Sequence, residues 1–253
     1  IYNMINFLVE LYQIKSHDWG SIIRYHIEKD KLVLADEKVK YPKGCINFGL
    51  AHGIIAPLIA LAKAKKYGYN VKGINATISG LRQLYEKYSI RDMNILKYPT
   101  MLSVEDYFSN TVSKDSITYN AGWCYGNAGI VRGLMKVSYY LNDNNNYQYY
   151  KKELLSIINQ ELDNYNFDLP IVCHGYASVL SIQISAFRES GDKSFLITRE
   201  RNMRQTIISH RNCIFNDEYT NDYSILSGES GTILTLINGI YLGKEYPKLL
   251  MID

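Results

Sequence analysis

The chain has 253 residues, of which 47% are apolar and 21% charged, with a formal net charge of +3. That length allows one large core or two modest ones. The near balance of 28 basic and 25 acidic side chains, with no basic cluster interleaved with aromatics, argues against nucleic-acid binding and an integral membrane role.

In chain order, Ile5, Leu8, Leu11 and Tyr12 recur at helical spacing and predict a helix over 2–14. Between 15 and 43 the pattern changes: the stretches 21–27 and 31–34 have short β character between charged residues, and Pro42-Lys43-Gly44 closes a small irregular or strand-bearing excursion. Residues 53–66 form an apolar helix, with Ile54, Ile55, Leu58, Ile59, Leu61 and Ala62; such all-round hydrophobicity belongs to a buried helix. Residues 75–88 are amphipathic and more polar, as an outer helix would be. The stretch 92–120 is expected to be loop with little regular structure. The alternation then repeats, with apolar helices over 128–141, 177–187 and 231–241 and amphipathic ones over 147–165 and 196–208.

Each apolar helix follows a turn that ends in glycine: Gly53, Gly126, Gly175 and Gly228. These anchors are spaced by 73, 49 and 53 residues. The two spacings near fifty fit one helical hairpin each, and the longer one fits the same unit plus the insertion at 92–120. Three positions after each anchor stands a small residue, Ala56, Gly129, Ser178 or Gly231, expected to let helix starts pack closely. This is an array of helix pairs, each burying its face against its neighbours. Equivalent turns of such repeats share one end of the assembly.

Three of the turns carry metal-ligating side chains at that end. His52 precedes Gly53, Cys124 stands two before Gly126, and Cys173 and His174 immediately precede Gly175. Two thiols and one imidazole make a three-ligand set that suits zinc with an open fourth position, the catalytic rather than the closed structural pattern. A substrate thiol taken up there would be deprotonated, and two anionic sulfur ligands would leave it nucleophilic. A lone buried Cys is more often a small hydrophobe, but the adjacent Cys173-His174 pair and the equivalent placement of Cys124 favour a site. His52 is either a further ligand or an acid/base group beside the metal. Tyr125 is either a hydrogen-bond donor near the metal or a packing aromatic. Cys45 and Cys213 lack the turn context and are expected to be structural. His17, His26 and His210 are expected to be solvated. The N-terminal residues have no basic region or small-residue cleavage site of a signal peptide, so reduced thiols in a cytosolic protein are expected.

The stretches 41–53, Trp123-Cys124-Tyr125-Gly126, Cys173-His174-Gly175-Tyr176 and Ser227-Gly228-Glu229-Ser230-Gly231 resemble the lanthipeptide (lantibiotic) cyclase family, its nisin type in particular, in order and spacing from about residue 41 to the end. The resemblance implies an all-α fold, an α/α toroid of inner and outer helices, forming one domain over 1–253 with a small insertion at 15–43. It implies Zn2+ held by Cys124, Cys173 and His174, with His52 as a non-ligating acid/base group. It implies addition of Cys thiolates to dehydroalanine or dehydrobutyrine of a dehydrated precursor peptide, closing (methyl)lanthionine rings. The implied partners are the dehydratase and exporter of a lantibiotic complex, and the implied location is the cytoplasm, or the inner face of the cell membrane as a peripheral protein. Three departures accompany the likeness. The N-terminal third of the family's length has no counterpart here, nor does an acidic residue that the family places in it, and Asn120 stands where nisin-type members have an arginine. An inactive, truncated peptide-binding module of a modification complex is therefore the second reading. A zinc-thiolate alkyltransferase is the third; it needs a basic pocket that the motifs do not supply.

Overall fold

The computed structural model describes residues 1–216, 222–242 and 246–252. It begins with α1 (Tyr2–Glu10), the hairpin β1 (Ile14–His17) and β2 (Gly20–Ile23), α2 (Ala35–Lys40) and β3 (Cys45–Asn47). Then come α3 (Ile55–Lys66), α4 (Ile74–Lys87), β4 (Ile90–Asp92), β5 (Ile95–Lys97), β6 (Met101–Ser103), α5 (Val104–Ser109), α6 (Asn127–Tyr140) and α7 (Asn144–Ile158). The last elements are α8 (Tyr176–Ser190), α9 (Arg199–Phe215), α10 (Glu229–Tyr241) and α11 (Tyr246–Leu249).

Composition sorts the long helices into two layers. In α6, 13 of 14 residues are buried, against 5 of 15 in α7. The apolar helices α3, α6, α8 and α10 pack side by side in that order, and α4, α7 and α9 each cover the outside of the inner helix that precedes them. This is the paired array expected from the alternation, and the α/α toroid arrangement that the resemblance implies. The inner helix α10 packs on α8 and α9, and leaves the row Ile233, Ile237 and Ile240 exposed. Among the described residues no helix is long and apolar enough to cross a membrane.

Glycine anchors begin the inner helices because the preceding turn folds back on them. A Cβ at Gly126, Gly175 or Gly228 would lie 2.0–2.3 Å from a backbone atom of its own turn. Two of the small residues three positions on have a related cause. A Cβ at Gly129 would meet the Trp123 carbonyl oxygen at 2.0 Å, and one at Gly231 the Ile225 carbonyl oxygen at 1.7 Å. At these two positions the turn itself leaves no room for a side chain, and Ser178 donates its hydroxyl to the Gly175 carbonyl at 2.7 Å.

Two stretches differ from the sequence reading. Within 15–43, residues 35–40 form the helix α2, whose acidic first turn (Asp36, Glu37) and basic last turn (Lys38, Lys40) complement the helix dipole. The stretch 31–34 contains no strand. The 92–120 segment is more regular than expected. Its hairpin β4–β5 turns through Met93 and Asn94, both at positive φ (48° and 64°), and β6 pairs antiparallel with β3. A Met at a left-handed position is a poor turn signal, and three-residue strands fall below what alternation can reveal. The segment supports the first turn, the Phe48 amide donating to the Thr100 carbonyl at 3.0 Å; from α4, the Tyr85 hydroxyl donates to the Phe48 carbonyl at 2.7 Å.

Candidate metal centre

The four turns are joined by backbone hydrogen bonds that run from one to the next around the mouth of the ring. The Leu50 amide donates to the Cys124 carbonyl at 2.7 Å, the Cys124 amide to the Cys173 carbonyl at 3.0 Å, and the Cys173 amide to the Leu226 carbonyl at 2.9 Å. Cys124, Cys173 and Leu226 each stand two residues before their glycine, so the repeat sets the register. The fourth turn, which carries no metal-ligating side chain, thereby fixes the backbone of Cys173. Leu226 has no chemical signature; only its position relative to Gly228 could have marked it.

This ladder brings Cys124 Sγ, Cys173 Sγ and a ring nitrogen of His174 within 4.8 Å of one another. Cys124 is buried, Cys173 half-buried and His174 exposed, so the cluster opens to solvent on one side. Among the described residues no other His, Cys, Asp or Glu joins it. Two soft sulfurs and one imidazole, with one face open, fit a zinc ion with three protein ligands. The hydrogen bond from Cys124 pulls the Cys173 thiol well below its ordinary value, helped by His174 and by the charge of His52. The same hydrogen bond, with burial, pushes Cys124 up, and hydrogen bonding to Cys173 raises His174. The cluster therefore concentrates one negative charge on sulfur.

His52 is exposed on the first turn, with its ring centroid 5.8 Å from that of Tyr125. Tyr125 is half-buried, and burial pushes its hydroxyl up to about 12, against a hydrogen bond with the Asn47 side chain. Sequence reading missed Asn47. Its Oδ1 also accepts the Gly49 amide at 2.9 Å, so it ties the His52 turn to Tyr125; the Asn-Phe-Gly spacing of an Asx turn was the available signal. Asn120 turns the chain into the second turn by accepting the Gly122 amide on its Oδ1 at 3.0 Å. It also lines a cavity of about 310 Å³ with Met93, Ile157, Gln160 and Asn166.

The other thiols and imidazoles lie elsewhere. Cys45 is fully buried with Leu32, Tyr41 and Met101, and burial pushes its thiol up to about 12. Cys213 packs on Ile171, and none of the four cysteines is in a disulfide among the described residues. His17 and His26 are not simply solvated. His17 stacks on Trp19 with centroids 4.4 Å apart, and His26 Nε2 lies 2.7 Å from the Lys43 carbonyl, because the hairpin β1–β2 folds its aromatic residues together.

A nisin cyclase structure superposes with a TM-score of 0.83 at 24% identity, over 99% of this chain and 60% of that one. Nisin biosynthesis protein NisC of Lactococcus lactis subsp. lactis is 27% identical over 181 residues, 71% of this chain and 41% of that protein. The chain thus spans well under two thirds of the length of each. The family model described as lanthionine synthetase C-like protein matches residues 3–251. With the match running through all four turns and both helix layers, the chain belongs to the lanthionine synthetase C-like family.

Proposed function

We propose that the protein is a zinc-dependent peptide cyclase that adds Cys thiolates of a dehydrated precursor peptide to its dehydroalanine or dehydrobutyrine residues, closing (methyl)lanthionine rings. The observation that carries this reading is the convergence of Cys124, Cys173 and His174 within 4.8 Å on a face open to solvent. In this role the three side chains hold zinc, and residues 1–253 act as one toroid domain. Bound there, zinc would lower the pKa of a substrate thiol, and the two thiolate ligands would keep that sulfur electron-rich.

The chain's own residues handle the proton and the enolate. As the C–S bond forms, the alkene π pair moves toward the neighbouring carbonyl, and the α-carbon then needs the proton that the thiol gave up. His52 stands on the adjacent turn, exposed and within electrostatic reach of Cys173. Its imidazole takes that proton up and returns it, a task suited to a side chain with both a donor and an acceptor nitrogen. Tyr125 remains protonated through the working range, since burial pushes it up to about 12, and donates a hydrogen bond to the developing enolate oxygen. Asn120 adds no charge to that stabilisation. The partners in this reading are the precursor peptide and the dehydratase and exporter of a lantibiotic complex, on the cytoplasmic side.

The test is zinc content together with ring closure. Wild type should hold about one zinc per chain, lost in both Cys124→Ala and Cys173→Ala, while His52→Ala should keep zinc and lose cyclisation of a dehydrated peptide followed by thiol trapping and mass spectrometry. Zinc retained in both cysteine variants would refute the site. A second reading, a peptide-binding module without turnover, draws on the uncharged Asn120. It expects peptide affinity and zinc without ring formation.

A further inference from the structure

Beyond α11 the chain turns into the ring. Leu250 and Ile252 are buried in the main core among the inner helices, and their backbone carbonyls meet side chains of the second and third inner repeats. The Leu250 carbonyl accepts a hydrogen bond from Trp123 Nε1 at 2.8 Å. The Ile252 carbonyl accepts from Arg132 Nε at 2.9 Å and Nη2 at 2.6 Å, and from the Ser185 hydroxyl on α8.

Arg132 is completely buried, and it shares Glu189 of α8 with Lys136 at distances of 2.7–3.0 Å. A buried ionic triad contributes little net stability; its better-attested use is to specify register. Here the same guanidinium that closes the triad also grips the Ile252 carbonyl, so the register it fixes is that of residues 250–252 against α6.

Trp123 connects this register to the metal centre, because Cys124 follows it directly. The turn has little other freedom: the Cys124 amide and carbonyl are both committed to the ladder, and the Trp123 carbonyl lies against Gly129 with no room for a Cβ. The indole has a single donor and no acceptor, and that donor ends on Leu250. We infer that residues 250–252 form an internal strap, locked by Arg132, that sets the position of the Cys124 sulfur through Trp123, a positioning residue for the metal; the inference rests on the zinc reading above.

The experiment compares wild type, Trp123→Phe, Arg132→Met and, as a core control, Leu154→Ala on α7, where Leu154 is fully buried. Zinc affinity is read by competition with a chromophoric chelator, site geometry by the thiolate-to-metal absorption of the Co2+ form, and stability by Tm. Support groups behind metal ligands are typically worth about tenfold or more in affinity. Trp123→Phe and Arg132→Met should each lose about tenfold in zinc affinity and shift the Co2+ band, whereas Leu154→Ala should lower Tm and change neither. Wild-type affinity and spectrum in both Trp123→Phe and Arg132→Met would overturn the strap. So would an equal loss of affinity in Leu154→Ala, which would make the effect one of stability alone. A wild-type chain that takes up no zinc would overturn the metal reading itself, and the strap with it.

Discussion

Replacing Glu189 with Gln tests the buried charge network. The carboxylate is 7% exposed and faces Arg132 and Lys136 of α6, which are 0% and 5% exposed; Tyr147 of α7 also hydrogen-bonds to it. Burial alone would raise its pKa, but the attraction of Arg132 and then Lys136 outweighs that and holds it down from 4.5 to about 2. At roughly 1.4 kcal/mol per pH unit, that gap corresponds to about 3 kcal/mol. The folded value is depressed, so this stability is present above pH 4.5 and is lost as pH falls towards 2. Gln keeps the shape and removes the charge, leaving two buried cations without a counter-ion. Breaking a buried pair in this way costs about 3–5 kcal/mol, in line with the titration figure. For a domain of this size the midpoint should fall by roughly 6–12 °C at pH 7. The assay is thermal and urea unfolding of both proteins at pH 7 and pH 3, followed by circular dichroism. The gap between them should be about 3 kcal/mol at pH 7 and about half that at pH 3. A gap below about 1 kcal/mol, or one equal at the two pH values, would refute the reasoning.

Three further outcomes follow from single contacts. Gly126→Ala places a Cβ 2.0 Å from the Gly122 amide nitrogen, so the second turn must open; zinc affinity should fall at least tenfold while far-ultraviolet circular dichroism keeps the helical signal. Tyr85→Phe strands the Phe48 carbonyl that its hydroxyl satisfies inside the core, and should cost about 1–3 kcal/mol in urea unfolding. Cys45, fully buried and pushed up to about 12, should remain unmodified by iodoacetamide in the native protein at pH 8 and react on unfolding, as peptide mapping would show.

The layered fold was legible in the sequence because an inner helix must be apolar on every side and an outer one on a single face. α6 and α7 differ in just that way; α6 begins and ends within one residue of its periodic segment, whereas α7 stops at Ile158, seven residues short of the expected end at 165. The Cys124, Cys173 and His174 cluster was legible for a related reason: a repeat makes positions relative to its glycine equivalent in space, and these residues occupy equivalent positions. What lacked a local signal needed the coordinates. The hairpin at Met93-Asn94 breaks turn preference and is held by β5 packing on α7. Leu226 acts through its backbone carbonyl, which every residue type possesses, and Asn47 through a side chain that joins two turns distant in sequence. The strap depends on carbonyls of Leu250 and Ile252 reached by Trp123 and Arg132 across more than a hundred residues of chain. Sequence alone thus determined the helix layers and the donor set, since both follow from side-chain chemistry at repeating positions. Tertiary structure decided which backbone groups hold those donors in place, because hydrogen bonds between distant main-chain atoms leave no trace in residue identity.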